Sequence, residues 1–349
     1  STPIKSSAAS DVYKRQILAE GKLWDELEKI LCAKAREGVE VKIIFDDFGN
    51  IKRFSGETID RLREVGVEVF IFNPVHEYVN RLHFNYRDHR KIACIDGDVA
   101  YTGGVNIADE YANLIERFGY WKDSGVCLEG EGAWGLTASF IRMCVNLGGV
   151  MHNEHDYYRP HTPVKSEGFC QPFTDGPQNN PDNPAEDVFL QMISGARRFL
   201  YITTPYFIPD ESLMRALCIA GDGGVDVRLM LPGKPDHWYA DCVAESYFGE
   251  LIKHGVKVYR YTPGFLHGKS IMVDREAAFV GSANMDYRSF ELDYECGVMV
   301  YSAPMIESLL EDMDMIVDHS RLVTKEEWAK RSVLRRVFEP LLRLFAIWM

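Results

Sequence analysis

One motif occurs twice in the sequence, and this repetition constrains the fold more than any other feature of the chain. In each copy a histidine is followed two residues later by a lysine, five residues after that by an aspartate, and ten residues after that by an asparagine. The two copies are His89, Lys91, Asp96 and Asn106, then His267, Lys269, Asp274 and Asn284. The offset between the copies is the same at all four positions. Two copies in register indicate a duplicated domain.

The spacing within each copy predicts a strand followed by a turn and a returning strand. Alternate residues of a strand face the same side, so the histidine and lysine of each copy project together. Asp96 and Gly97 are typical of a hairpin turn. The small pairs Gly103-Gly104 and Gly281-Ser282 allow a close backbone approach, which brings each asparagine to the site where the histidine and lysine project. Joining the two units would bring two imidazoles, two ammonium groups and two carboxamides around one small anion, which predicts a phosphate site without a metal.

The pattern extends beyond the motifs. The segment 224–231 resembles 38–45, and 255–259 resembles 66–70, because each begins with Gly-Val and continues as a strand-like run. The duplication therefore covers whole domains. Strands that alternate with helices and are joined through glycines indicate an α/β fold. We expect a first domain at 17–150, a Pro-rich linker and the start of the second half at 151–186 with one short strand near 168–172, and a second domain at 187–323.

The two ends of the chain give further expectations. Residues 1–16 predict an unstructured or non-native leader, because no strand equivalent to that at 199–204 can be recognised there. The first sheet should then lack one strand and leave an edge or face uncovered. Thr324 and Glu327 predict a capping box that opens an amphipathic helix over 324–349. This helix either packs on the core or lies in a membrane interface.

The motifs and their flanks carry a resemblance to a known family. The duplicated motif matches the HKD motif of the phospholipase D superfamily, and five flanking segments resemble bacterial cardiolipin synthases, namely 85–91, 101–106, 201–206, 261–267 and 285–289. The resemblance implies two duplicated phospholipase D-like domains, each a mixed β-sheet flanked by helices, related by a pseudo-twofold axis. It also implies two N-terminal membrane helices, which this sequence lacks, so we expect an N-terminally truncated form held peripherally at the bacterial cytoplasmic membrane.

The same resemblance implies a two-step displacement through a phosphohistidine. It makes His89 the nucleophile and His267 the general acid, whereas the residues alone leave these roles open. A carboxylate that accepts a hydrogen bond from the non-reacting nitrogen of each imidazole would fix the tautomer of that ring. Asp123 is the candidate in the first half and Glu295 in the second.

The remaining polar residues of the motifs are expected to hold the phosphate. The candidate phosphate-binding groups are Lys91, Lys269, Asn106, Asn284 and Ser282. Asp96 and Asp274 are grouped with the catalytic motif, although an anchoring role in the hairpin is at least as probable from the sequence. His152, His155 and Asp156 are more typical of a solvated loop than of a metal site, so neither a metal nor a cofactor is expected.

The acceptor of the phosphohistidine decides the product. The resemblance implies a phosphatidyltransferase that makes cardiolipin and glycerol from two molecules of phosphatidylglycerol, an anionic phospholipid at a membrane surface. Water as the acceptor would make a hydrolytic phospholipase D, and a truncated chain could also be a non-catalytic scaffold. A nuclease shares the motif, but a net charge of -13 argues against a nucleic-acid partner. The sequence does not predict an oligomeric state.

Overall fold

The computed structural model describes residues 10–15, 18–50, 53–75, 85–151, 158–165, 168–331 and 342–343. The histidines at 152 and 155 lie outside these residues, as does most of the predicted C-terminal helix.

The described chain alternates between strands and helices. Its strands are β1 Ser10–Arg15, β2 Glu40–Asp46, β3 Glu68–Phe72, β4 Arg87–Asp88, β5 Ile92–Ile95, β6 Val99–Gly103, β7 Tyr120–Lys122, β8 Gly125–Glu129, β9 Phe169–Asp175, β10 Phe199–Thr203, β11 Phe207–Ile208, β12 Asp226–Pro232, β13 Lys257–Tyr261, β14 Gly264–Leu266, β15 Ser270–Val273, β16 Ala277–Gly281, β17 Met285–Asp286, β18 Asp293–Tyr301 and β19 Ser320–Leu322. Its α-helices are α1 Lys22–Arg36, α2 Asp47–Asn50, α3 Gly56–Glu64, α4 Trp134–Asn146, α5 Pro184–Gly195, α6 Glu211–Asp222, α7 Trp238–Lys253, α8 Tyr287–Glu291, α9 Met305–Asp318 and α10 Lys325–Ala329.

Two mixed sheets repeat one topology. The first has the strand order β3-β2-β1-β5-β6-β8, and the second contains the matching order β13-β12-β10-β15-β16-β18, extended by β19, β4 and β9. In each sheet the central strand pairs in parallel with one neighbour and antiparallel with the other: β1 with β2 and β5, and β10 with β12 and β15. The predicted duplicated α/β fold is therefore confirmed.

Strand β1 occupies the place where the sequence predicted an unstructured leader. Its backbone pairs from Ser10↔Glu40 to Arg15↔Phe45 on one side and from Asp11↔Ile95 to Lys14↔Ile92 on the other. The predictions of a missing strand and an uncovered sheet were therefore wrong. The segment is polar and has no clear alternation, but backbone hydrogen bonds to two neighbouring strands hold a central strand whatever its side-chain pattern.

Part of the predicted linker also belongs to a sheet. All seven residues of β9 pair antiparallel with β18, from Phe169↔Tyr301 to Asp175↔Glu295. The expected short strand is confirmed and is longer than predicted. The second sheet therefore begins well before residue 187.

The two halves share an apolar core. Buried residues of the first half, including Ile44 and Ile92, pack in one cluster with Met230 and Met272 of the second half. Because interiors are close-packed, this shared core fixes the halves against each other at the level of single side chains.

The described part of the C-terminal tail packs on α7. The capping box of Thr324 and Glu327 is present. The Trp328 indole N–H donates to the Glu245 carbonyl at 3.3 Å, and the Arg343 guanidinium lies 4.0 Å from the Tyr247 ring centroid. These contacts favour the docked alternative for the described residues. No helix within the described ranges is long and apolar enough to cross a membrane.

Candidate active site

Two short parallel ladders join the halves next to the motif histidines. Strand β4, which leads into the first motif, pairs with the start of β18 of the second half, and β14, which leads into the second motif, pairs with β7 of the first half. Each ladder ends at a histidine: the His89 N–H donates to the Tyr294 carbonyl at 2.9 Å, and the His267 N–H donates to the Lys122 carbonyl at 2.7 Å. The two histidines are therefore held by reciprocal contacts between the halves.

The carboxylates that orient the imidazoles cross between the halves as well. His89 Nδ1 lies 2.7 Å from Glu295 Oε1, and His267 Nδ1 lies 2.7 Å from Asp123 Oδ2. Glu295 directly follows Tyr294, and Asp123 directly follows Lys122, so each carboxylate is next in sequence to the carbonyl that accepts from the histidine it orients. The sequence identified both carboxylates but placed each in the half of its own histidine. That assignment was wrong, because the strand carrying each carboxylate pairs with the opposite half.

The two motif lysines are buried beside the imidazoles. The Lys91 ammonium donates to the His89 carbonyl, and Lys269 Nζ donates to the His267 carbonyl at 2.6 Å and lies 2.9 Å from His267 Nε2. Burial lowers the pKa of Lys91 to about 8. Burial and the charge of Lys91 lower the pKa of Lys269 to about 7. The two buried ammonium groups repel each other, and a bound anion between them would stabilise the charged form of both lysines.

The same environment keeps both imidazoles neutral in the free protein. Burial and the charge of Lys91 hold the pKa of His89 well below its usual value. Burial and the charge of Lys269 lower the pKa of His267 to about 4.

The two orienting carboxylates differ in their protonation. Burial raises the pKa of Glu295 to about 7, so this carboxyl takes up a proton easily. Burial also acts to raise the pKa of Asp123, but the charge and hydrogen bond of His267 outweigh it and leave the pKa lowered. Asp123 is therefore the more persistent anion of the two.

The Ser282 hydroxyl is bonded to Glu295 and to the backbone of Cys296. This hydroxyl is fully buried, donates to Glu295 Oε2, and accepts from the Cys296 N–H at 3.0 Å. The prediction of a phosphate-binding role is corrected: Ser282 positions Glu295. The matching residue of the first half is Gly104, where an added Cβ would lie 2.1 Å from Asp123 Oδ1, so this position has no room for a side chain.

The two motif asparagines make different contacts. Asn106 is buried and its Nδ2 donates to the Tyr111 hydroxyl at 2.8 Å. The Tyr111 ring packs edge-on against the His267 ring at 5.3 Å. The Asn284 N–H donates to Ser289 Oγ at 3.0 Å, and its side-chain Oδ1 is buried and makes no hydrogen bond to any described residue.

The motif aspartates lie at the far ends of their strands. The Asp274 carboxylate accepts the backbone N–H groups of Arg197, Arg198 and Phe199 at 2.7 to 2.8 Å. It lies five positions beyond Lys269, across the four-residue strand β15, a distance of roughly 16 Å at the usual rise per residue. Asp96 occupies the matching turn with a φ of 55°. This placement supports the anchoring alternative over a catalytic one for both aspartates.

Several residues of the cleft were not singled out from the sequence. The rings of Trp121 and Phe265 pack on His267 at 5.3 and 5.8 Å. Arg288 lies 3.3 Å from the buried Asp293 carboxylate, and its charge helps to lower the pKa of His89. Arg288 falls within a segment that carried the family resemblance, which is the signal that would have drawn attention to it.

One group of side chains in the cleft has the spacing of metal ligands. His89, Asp293 and Glu295 each offer a ligand atom, and these atoms lie within 4.8 Å of one another. The cations Lys91 and Arg288 act on the same carboxylates, and they would oppose a metal ion there.

Comparisons with known proteins agree with this geometry. The family described as cardiolipin synthase, PLD-like domain, matches residues 19–116 and 189–317. The chain is 37% identical to the cardiolipin synthase of Halalkalibacterium halodurans over 332 residues, which cover 95% of the chain and 65% of that protein. It is also 37% identical to the major cardiolipin synthase ClsA of Bacillus subtilis, over 98% of the chain and 71% of that protein. The chain thus spans about two thirds of the length of these relatives.

A solved structure shares the fold. The phosphatidylserine synthase of Haemophilus influenzae superimposes with a TM-score of 0.69 at 16% identity, over 97% of this chain and 88% of that one. At this identity the likeness concerns the architecture of the two domains.

Proposed function

The chain belongs to the cardiolipin synthase family of phospholipase D-like proteins, and we propose that it transfers a phosphatidyl group from one phosphatidylglycerol to a second, forming cardiolipin and releasing glycerol. The observation that carries the proposal is the reciprocal pair of imidazoles, each oriented by a carboxylate of the opposite half, beside two buried lysines. This arrangement suits a two-step displacement at one phosphodiester.

In the first step, Nε2 of His89 attacks the phosphorus of phosphatidylglycerol. The P–N bond forms as the bond to the glycerol oxygen breaks, and His267 gives its proton to that oxygen. In the second step, His267 takes the proton from a hydroxyl of a second phosphatidylglycerol. The resulting oxygen attacks the phosphorus, the bond to His89 breaks, and both imidazoles return to their starting state.

The difference between the orienting carboxylates supports this division of roles. Glu295 protonates easily and does little to hold a charge on His89, which suits a nucleophile that must be neutral. Asp123 stays anionic and stabilises an imidazolium at His267, which suits a general acid.

Binding of the substrate would supply the missing proton. In the free protein the pKa of His267 is lowered to about 4, so the ring is neutral at physiological pH. An anionic phosphodiester between the lysines would offset their charge and favour the charged form of the imidazole. Proton uptake by His267 would then accompany binding. Lys91 and Lys269 would hold the non-bridging oxygens as charge develops.

The same cleft admits water as the acceptor. Hydrolysis of the phosphohistidine would give phosphatidic acid and make the protein a phospholipase D. The two outcomes differ only in the second step, so the lipid product separates them.

The experiment incubates the purified protein with phosphatidylglycerol vesicles and identifies the lipid product by mass. We expect cardiolipin and free glycerol, with rates unchanged by EDTA. His89→Ala and His267→Ala should each lower turnover at least about a thousandfold, and the double variant should be no worse than the poorer single, because the residues act as one unit. Phosphatidic acid as the main product would assign hydrolysis instead. Substantial turnover by either single variant would exclude the two-histidine mechanism.

A further inference from the structure

Two exposed segments lie side by side at the mouth of the cleft. They are residues 114–120 and residues 234–239, and we refer to them together as the mouth patch. The first segment is a projecting loop, closed at its base where the Asn113 side chain accepts the Trp121 N–H at 2.7 Å and donates to the Trp121 carbonyl at 2.9 Å. An added Cβ at Gly119 would lie 3.0 Å from Lys234 Nζ, which places the second segment against the first.

The mouth patch adjoins the catalytic cleft on the side of His267. Trp121, at the base of the loop, packs its ring 5.3 Å from the His267 ring. In the second segment, the Lys234 N–H donates at 3.4 Å to the carbonyl of Gly264, which lies three residues before His267. In the proposed mechanism this is the side from which glycerol leaves and the second lipid arrives.

The mouth patch exposes large apolar and aromatic side chains. Leu114, Ile115 and Tyr120 are each about half exposed, and Trp238 is 69% exposed. Tyr239 packs edge-on against Trp238. Tryptophan and tyrosine favour the boundary between lipid head groups and acyl chains, because one end of the ring system is apolar and the other is polar.

Cations lie among these side chains although the whole chain carries a net charge of -13. Arg117 is half exposed and lies 3.5 Å from the nearly buried Glu110 carboxylate, and Lys234 is exposed. His237 is paired with Asp236 at 2.9 Å, which raises the pKa of the imidazole. Glu116 is the one exposed carboxylate in the two segments, since Asp236 is engaged by His237 and by the Tyr206 hydroxyl at 2.6 Å.

We propose that the mouth patch is the surface through which the protein binds an anionic lipid bilayer. Leu114, Ile115 and Trp238 enter the boundary of the acyl chains, while Arg117 and Lys234 contact lipid phosphates. The inference rests on the proposed function in taking phosphatidylglycerol as the anionic lipid. Binding in this orientation presents the cleft to the bilayer, so that a lipid head group reaches His267 without leaving the membrane.

The test measures vesicle flotation of the full chain in a His89→Ala background, so that the lipid composition stays constant. Vesicles of phosphatidylcholine with and without phosphatidylglycerol are compared. The apolar variant combines Leu114→Ser, Ile115→Ser and Trp238→Ser, and the charge variant combines Arg117→Gln and Lys234→Gln. Matched controls remove exposed side chains elsewhere: Val150→Ser with Ile219→Ser, and Arg215→Gln with Lys253→Gln.

We expect the charge variant to bind phosphatidylglycerol vesicles about 30-fold more weakly, since each basic residue near an anionic surface contributes about fivefold. The apolar variant should lose at least about tenfold on the same vesicles, and the controls should bind like the parent. Equal binding by parent and patch variants, or equal loss in patch and control variants, would overturn the proposal. A patch variant that changes the oligomeric mass but still binds vesicles would assign the surface to a contact between copies of the chain.

A second readout keeps the proposal testable if the apolar variant does not fold. Brominated phosphatidylglycerol should quench the tryptophan fluorescence of the His89→Ala protein, and adding Trp238→Phe should remove most of this quenching. Unchanged quenching would overturn the proposal. These measurements do not depend on turnover, so a failure to form cardiolipin and a failure to bind through the mouth patch are distinguishable.

Discussion

At the scale of single residues, the cleft is symmetric in its histidines and lysines and asymmetric in what surrounds them. Glu295 is held by the Ser282 hydroxyl, whereas Asp123 lies over Gly104 and is held by the Ser124 N–H at 2.9 Å. The pKa of Glu295 is raised and that of Asp123 is lowered. A duplicated scaffold can in this way give its two imidazoles different tasks.

Replacing each carboxylate by its amide tests this division of roles. With phosphatidyl-p-nitrophenol as the donor, the leaving group departs without a general acid. Glu295→Gln should then slow p-nitrophenol release by about a hundredfold or more, because the nucleophile loses its orientation. Asp123→Asn should slow it by less than about tenfold, although it should impair transfer from phosphatidylglycerol severely. The reverse ranking in stopped-flow measurements would exchange the roles of His89 and His267.

The buried lysines predict the alkaline limit of activity. The pKa of Lys269 is lowered to about 7 and that of Lys91 to about 8, and each group carries its charge only below its pKa. We therefore expect kcat/KM to fall as the pH rises through about 7 to 8, far below the usual titration range of lysine. Lys269→Arg keeps its charge at all these pH values, so the fall of kcat/KM should move to higher pH, although the maximal rate should be lower. A profile that stays flat to pH 10 in the unmodified protein would contradict this account.

At the scale of elements, the motif aspartates connect strands. Asp274 joins the end of β15 to the start of β10 by accepting three backbone N–H groups. These bonds explain why an aspartate follows the lysine at a fixed distance in a strand that also carries the catalytic groups. The spacing reflects the length of the strand, and in the proposed mechanism the chemistry takes place at its other end.

Asp274→Ala should therefore reduce stability more than chemistry. The loss of a buried acceptor for three N–H groups should lower the free energy of unfolding by about 2 to 4 kcal/mol. The folded fraction should retain kcat within about threefold. Denaturant unfolding and active-site titration of the same sample separate the two quantities. A stable but inactive Asp274→Ala protein would return the aspartate to the catalytic group.

At the scale of the whole molecule, much of the architecture could be predicted because it repeats. The two motifs, their small-residue turns and the glycine-joined strands gave the duplicated α/β fold and brought together both histidines and both lysines. The crossed ladders could not be predicted, since β4 is two residues long and such a short pairing leaves no periodic pattern. Strand β1 was missed for a related reason: its place between β2 and β5 depends on backbone hydrogen bonds.

The crossed contacts have a consequence for the whole molecule. Each half supplies the carboxylate that orients the histidine of the other, so neither half contains both a motif histidine and its carboxylate partner. The shared core and the two ladders are what assemble the cleft.

The central claim is that two histidines, one from each half, act in sequence on one phosphate through a bond to His89. The most direct measurement mixes the protein with phosphatidyl-p-nitrophenol and follows the initial burst of p-nitrophenol release. The reaction is quenched during the burst with denaturant at mildly alkaline pH, where a P–N bond to histidine survives, and a phosphatidyl adduct is mapped by peptide mass spectrometry. The account predicts an adduct on the peptide that contains His89, formed as fast as the burst and absent in His89→Ala. An adduct on His267, or transfer to a second phosphatidylglycerol at full rate without any covalent species, would contradict it.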